Sequence, residues 1–339
     1  MKKFVISILL GLLFLGLSFL PVKAEASSTM NFSVNAVIPD NQIDKSKTYF
    51  DLKMKPGETR NLEVILTNGQ NHAITIETNA NTAVTNDNGI VDYSKTNPNL
   101  DASLKTPFSE IAKIDKEITL PANGTKTVKV NITMPKEEYD GQILGGLHFT
   151  EKLNQETEKN EEGVQIKNLY AYVIGVLLTE NDNEVKPDMQ LGEIKPSQIN
   201  YRNVLKANLQ NSQPIILKNL NIQARVTKKG SNKTLHETNK TDMRMAPNSN
   251  FNYGINWENQ EFKAGKYTLH MTAKSNENEW KWTKDFEIKG DEAKALNNKA
   301  VELEKDYTIW YIIGAILLGL ILLILVFLLG KRSSRKKDD

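Results

Sequence analysis

Residues 49–70 read YFDLKMKPGETRNLEVILTNGQ, and the order of residue types in this stretch decides the fold class. Leu62, Val64 and Leu66 alternate with polar residues, a period of two that sets one face of a strand against a core. Pro56-Gly57 before the run and Asn68-Gly69 after it supply the backbone angles of turns. By the same alternation Tyr49 and Phe50 point to opposite faces, so at most one of the two rings is left for a ligand.

The pattern recurs outward from this stretch. Ile74 and Ile76 alternate, as do Val128, Val130 and Ile132, and Asn88-Gly89, Asn123-Gly124 and Asp140-Gly141 mark further turns. Two denser apolar runs, QILGGLHF (142–149) and NLYAYVIGVLL (168–178), read as central strands buried on both faces. Between them the charged stretch EKLNQETEKNEEGVQIK (151–167) reads as a long solvated hairpin loop. Beyond Lys186-Pro187 a second strand series follows: NVLKANLQN (203–211), PIILKNLNIQARVTK (214–228), NFNYGINW (250–257), KYTLHMTAK (266–274) and EWKWTKDFEIK (279–289). The expected fold is all-β, with two tandem Ig-like β-sandwich domains over residues 25–186 and 187–290.

The two ends read differently. Lys2 and Lys3, an apolar run and small residues at Val22 and Ala24 make residues 1–24 a secretory signal peptide with cleavage expected after Ala24. Residues 309–329 carry no charge and would span about 31 Å as a helix, so 309–330 is expected to be one transmembrane helix. Trp310 and Tyr311 stand at its outer interface, and Lys331 and Arg332 open a basic tail (331–339) that the positive-inside rule places in the cytoplasm. The segment DEAKALNNKAVELEKDYT (291–308) is rich in helix formers and reads as a short juxtamembrane stalk. The expected location is the cell membrane, single-pass type I, with the ectodomain on the extracellular, cell-wall side. No Leu-Pro-x-Thr-Gly signal precedes the span, so sortase transfer to the wall is not expected.

The formal charge of +2 is carried by the ends, and the middle of the chain is mildly acidic. Such a surface argues against nucleic acid as a partner. The chain has no cysteine, which for an exported protein of this size fits a Gram-positive exterior. His72, His148, His236 and His270 form no pair at metal-binding spacing, and no serine sits in a G-x-S-x-G elbow. TNDNG (85–89) resembles a calcium loop weakly, but Val84 and Lys95 stand where ligands belong, and it reads as a plain turn. No catalytic residue, metal or cofactor is expected. Trp280 and Trp282, two apart, share one strand face, either as core or as an aromatic platform for a glycan or protein ligand.

The segments YFDLKMKPGETRNLEVILTNG, TNDNGIVDYS, MPKEEYDGQILGGLHF and NLYAYVIGVLL, in this order and between these ends, resemble the WxL-interacting proteins of low-GC Gram-positive bacteria. RNVLKANLQN carries the resemblance into the second half. It implies an N-terminal peptidoglycan-binding domain, a second domain for host binding, and a membrane anchor. The implied partners are peptidoglycan, WxL-domain surface proteins and host matrix proteins. None of the four tryptophans begins a Trp-x-Leu motif, so the chain would be the interacting partner of the motif-bearing proteins. The function expected is a non-enzymatic surface protein anchoring a wall adhesion complex. The alternative is an extracellular chaperone or assembly factor for exported β-proteins, acting through exposed strand edges.

Overall fold

The computed structural model describes residues 31–152, 170–304 and 308–334. The expected signal peptide with Ala24, most of the charged loop and the end of the basic tail lie outside the described residues.

The first unit holds eleven strands. They are β1 (Phe32–Val37), β2 (Phe50–Lys53), β3 (Thr59–Asn68), β4 (Ile74–Thr82), β5 (Val84–Thr85), β6 (Val91–Asp92), β7 (Ala112–Lys113), β8 (Glu117–Leu120), β9 (Thr125–Thr133), β10 (Gln142–Glu151) and β11 (Ala171–Thr179). One turn of helix, α1 (Phe108–Ile111), precedes β7. A four-stranded sheet in the order β1-β3-β9-β7 faces a five-stranded sheet in the order β2-β11-β10-β4-β8. Leu62, Val64 and Leu66 from the first sheet and Ile76, Leu147, Phe149 and Val176 from the second are buried in one apolar cluster. The opening stretch folds as its alternation requires: Phe50, Leu52 and Met54 point into that cluster, while Tyr49 is 37% exposed. Both of its turns carry the chain between the sheets. Pro56-Gly57 leads from β2 across to β3, with the Gly57 N–H donating to the Pro135 carbonyl at 2.7 Å. Asn68-Gly69 ends β3 and lets the chain cross back to the five-stranded sheet. The Asn68 side chain, buried, bonds His72 and Pro121 carbonyls and the Gln70 N–H there.

The two dense runs do become adjacent central strands, β10 and β11, paired antiparallel. Of these, β10 is buried on both faces over Ile143 to Leu147, whereas β11 alternates and keeps a half-open outer face.

The second unit contains β12 (Met189–Ile199), β13 (Arg202–Asn211), β14 (Leu217–Lys228), β15 (Thr234–Met245), β16 (Ser249–Asn256), β17 (Gly265–Ser275) and β18 (Asn278–Ile288). They form sheets β12-β13-β16 and β15-β14-β17-β18, again enclosing a single apolar cluster. Two of these strands, β12 and β15, have no apolar alternation in sequence. Both are sheet edges, MQLGEIKPSQI and TLHETNKTDMRM, where one neighbour suffices and polar residues are tolerated.

The expected stalk is shorter than residues 291–308 and folds back. Helix α2 (Gly290–Asn297) buries Ala293 and packs Leu296 against the second core. The chain after it is held by Val301 N–H to the Tyr201 carbonyl (2.9 Å), Glu304 N–H to the Asn259 carbonyl (2.8 Å) and an Arg202–Glu302 ion pair. An apolar side on so short a helix favours docking over projection. The expected span lies in α3 (Thr308–Ser334). Among the described residues no helix is long and apolar enough to cross a membrane. Side chains beyond Val326, with Lys331 and Arg332, lie outside the described residues.

Candidate functional site

The two units meet along a mixed polar and apolar seam built from short elements. The β5/β6 hairpin, with β10 and β11, supplies Ala83, Val91, Leu144 and Leu177, and Tyr93 follows β6 directly; the second unit supplies Ile216 and Ala246. Around this apolar cluster stand buried hydrogen bonds. Thr85 Oγ1 lies 2.6 Å from Ser249 Oγ and accepts from the Ala246 N–H at 3.0 Å. The Gln142 N–H donates to the Pro214 carbonyl at 2.7 Å, and Gln142 Oε1 accepts from the Ile216 N–H.

The TNDNG segment, expected to be a plain turn, is one, and it does more. The Asn86 N–H bonds the Ile90 carbonyl, and Gly89 has φ +71°. The angle requires glycine, and a Cβ on Gly89 would fall 2.1 Å from the Met243 Cε of the second unit, so that flexible side chain would have to turn aside. At the tip, Asp87 accepts from the Asn252 N–H at 3.0 Å and pairs with Lys206 at 3.1 Å.

A recess of about 140 Å³ opens on this seam, lined by Lys95, Leu100, Asp101, Leu104, Asn248 and Asn250 among others. Its strongest acceptor is Asp101. Burial alone would raise its carboxyl, yet hydrogen bonds from Ser103, Asn250 and Gln210 outweigh that and hold it below the usual carboxylate range. Those donors, from Ser103 N–H and Oγ, Gln210 Nε2 and Asn250 Nδ2, occupy its oxygens. Asp101 is therefore a fastening between units, not a free group for a ligand. Asp101→Ala is expected to cost about 1–3 kcal/mol, because its partly buried donors lose their acceptor. Chemical denaturation checks this, and an unchanged midpoint would refute the role.

Tyr139 abuts the same seam. Burial, then the Glu180 charge, pushes its hydroxyl up to about 12. It donates weakly to Asn248 Oδ1 at 3.5 Å, and its N–H donates to Glu180 Oε2 at 2.7 Å.

The residues singled out in sequence are dispersed. Trp280 and Trp282 lie on the edge strand β18, opposite Ala273 and Met271 of β17, half-buried against the second core; Glu279, Lys281 and Thr283 take the outer face. Trp310 and Tyr311 are exposed on α3, far from these strands in sequence. His148 is held down by burial, with Asp92 opposing, and His270 by burial and Arg225. Among the described residues no group of His, Asp and Glu could hold a metal ion. Sequence reasoning missed Thr85, Asp87, Asp101 and Ser249. Only the unusual TNDNG turn signalled any of them.

Compared by sequence with curated proteins, the chain matches none. Among solved structures it is similar to a chaperone–tip adhesin complex of CFA/I fimbriae, at 12% identity over 75% of this chain and 98% of that one, with a TM-score of 0.32. It is also similar to the class 5 fimbriae chaperone CfaA (12%, 75% and 98%, 0.30) and the E. coli chaperone DraB (13%, 76% and 98%, 0.27). TM-scores of this size carry no argument about fold or function. Family models speak directly. Residues 32–151 match the peptidoglycan binding domain of WxL Interacting Protein, and residues 161–298 match its host binding domain, a span that takes in β11 although β11 pairs within the first unit. With both domain models matched in order over most of its length, the chain belongs to the WxL-interacting protein family.

Proposed function

We propose that this protein is a non-enzymatic surface tether. Its first domain, residues 25–186, holds peptidoglycan. Its second, residues 187–290, engages host matrix proteins and WxL-domain proteins, and the apolar segment 309–330 anchors both to the cell membrane with the ectodomain outside. On this reading each domain is an Ig-like sandwich. The observation that carries it is the pair of matches to binding domains on one chain. The seam adds support, because two binding units fastened together act at a fixed separation. Wall contact, ligand contact and membrane anchoring together raise effective concentration even where each contact is weak.

The test uses the purified chain. It should sediment with peptidoglycan sacculi and capture a Trp-x-Leu protein from solution. Failure of both would overturn the reading, and sedimentation without capture would reduce it to a wall-binding protein.

A further inference from the structure

The outer face of the five-stranded sheet carries one glycine, Gly175, that neither core packing nor the seam explains. Gly146 of β10 and Gly175 of β11 are directly opposed, and both point outward, since their neighbours Leu147 and Val176 are buried inside. Glycine in the middle of a strand weakens it and marks a place where something approaches the backbone closely. For Gly146 that something is Tyr93, whose Cβ would lie 2.8 Å from an added Cβ. For Gly175 no such occupant exists among the described residues. An added Cβ there would meet only Tyr49, at 3.8 Å, an ordinary contact.

The result is a shallow trough. Its floor is the backbone at Gly175, and a tyrosine stands on each side, Tyr49 ahead of edge strand β2 and Tyr93 seated on Gly146. Burial, opposed by Arg244 and reinforced by Tyr49, raises the Tyr93 hydroxyl. The next row of the same face is Val173, 41% exposed, opposite His148, with Asn79 beyond it on β4. Arg244 of the second unit is exposed and acts electrostatically on Tyr93, and its guanidinium has no ion-pair partner among the described residues.

We infer that this trough binds the glycan strand of peptidoglycan, with a sugar ring laid over Gly175 against the Tyr49 ring. The inference rests on the peptidoglycan-binding reading above. A pyranose presents a flat face of C–H groups that stacks on an aromatic ring, and a backbone without Cβ lets the ring settle. The hydroxyl and acetamido groups around a sugar ring need both donors and acceptors. His148, kept neutral by burial, and Asn79 offer both. The wall polymer bears carboxylates, which the unpaired Arg244 complements.

The experiment measures sedimentation of the full chain with intact sacculi and with glycan strands stripped of stem peptides by an amidase. The expected result is binding to both. Tyr49→Ala and Gly175→Leu should each weaken it about tenfold or more, while Tyr49→Phe, which keeps the stacking ring, stays within about twofold. Circular dichroism controls for folding, and a Cβ on Gly175 makes no more than an ordinary contact with Tyr49. If the wild-type chain binds no sacculi, the peptidoglycan reading falls and the trough with it. If the wild type binds but both trough variants bind equally well, only the trough is wrong. Binding that vanishes on stripped glycan assigns the ligand to the stem peptide and overturns the inference.

Discussion

Trp257→Ala should lower the stability of the protein by about 3–5 kcal/mol, the range for removing a fully enclosed tryptophan. Trp257 is 2% exposed, immediately after β16, and it organises the largest aromatic group among the described residues. Its ring lies 4.0 Å between centroids from His236, 4.8 Å from Phe262 and 6.0 Å from Tyr267, which stacks in turn on Phe286 at 5.5 Å. These rings come from β15, the β16–β17 connection, β17 and β18, so the cavity would open between the four-stranded sheet and the connection that enters it from β16. Smaller side chains cannot collapse into it without moving four elements at once. Urea denaturation followed by circular dichroism reads the loss, and a change under about 1 kcal/mol would show that the cluster is not a keystone. Trp257→Phe, which retains a ring, should lose distinctly less.

Lowering the pH from 7 to 4 should remove about 3 kcal/mol of stability through one side chain, His236. Its ring is 4% exposed and stacked on Trp257, and burial pulls its pKa from 6.5 down to about 4. The folded protein thus keeps His236 neutral where the unfolded chain has protonated it. Between pH 6.5 and 4 the unfolded state binds the extra proton, so stability is full above 6.5, falls through this window and changes no further below it. The facing charge is Glu258, whose carboxylate lies 3.9 Å from Nδ1, beyond hydrogen-bond range, and Nδ1 has no partner among the described residues. His236→Phe keeps the ring stack and removes the titration. Its stability difference between pH 7 and 4.5 should shrink by about 2–3 kcal/mol, and a variant with the wild-type pH profile would refute the assignment.

The strand pattern was legible where a strand has one wet and one dry face. Leu62, Val64 and Leu66 lie where their alternation puts them, and so do Val128, Val130 and Ile132. The edge strands β12 and β15 were not legible, because one paired side and polar neighbours leave no periodic mark. The helix at 290–297 lies in the segment 291–308 whose helix formers were legible, but its docking was not, since Ala293 and Leu296 show their partner only once the second core exists.

The site divides along the same line. Family membership, the two binding domains and the apolar segment near the end follow from the order of local motifs along the chain, because each is a property of neighbouring residues. The seam and the trough follow from contacts between residues far apart. Thr85 reaches Ser249 across 164 positions, Asp101 reaches Asn250 across 149, and Gly146 meets Gly175 only through the pairing of β10 with β11. A glycine, an asparagine or an aspartate in sequence carries many meanings, and tertiary packing selects one by fixing what lies opposite. Tyr49 shows the division most plainly: alternation turned its ring outward, and only the fold set it beside an unoccupied glycine.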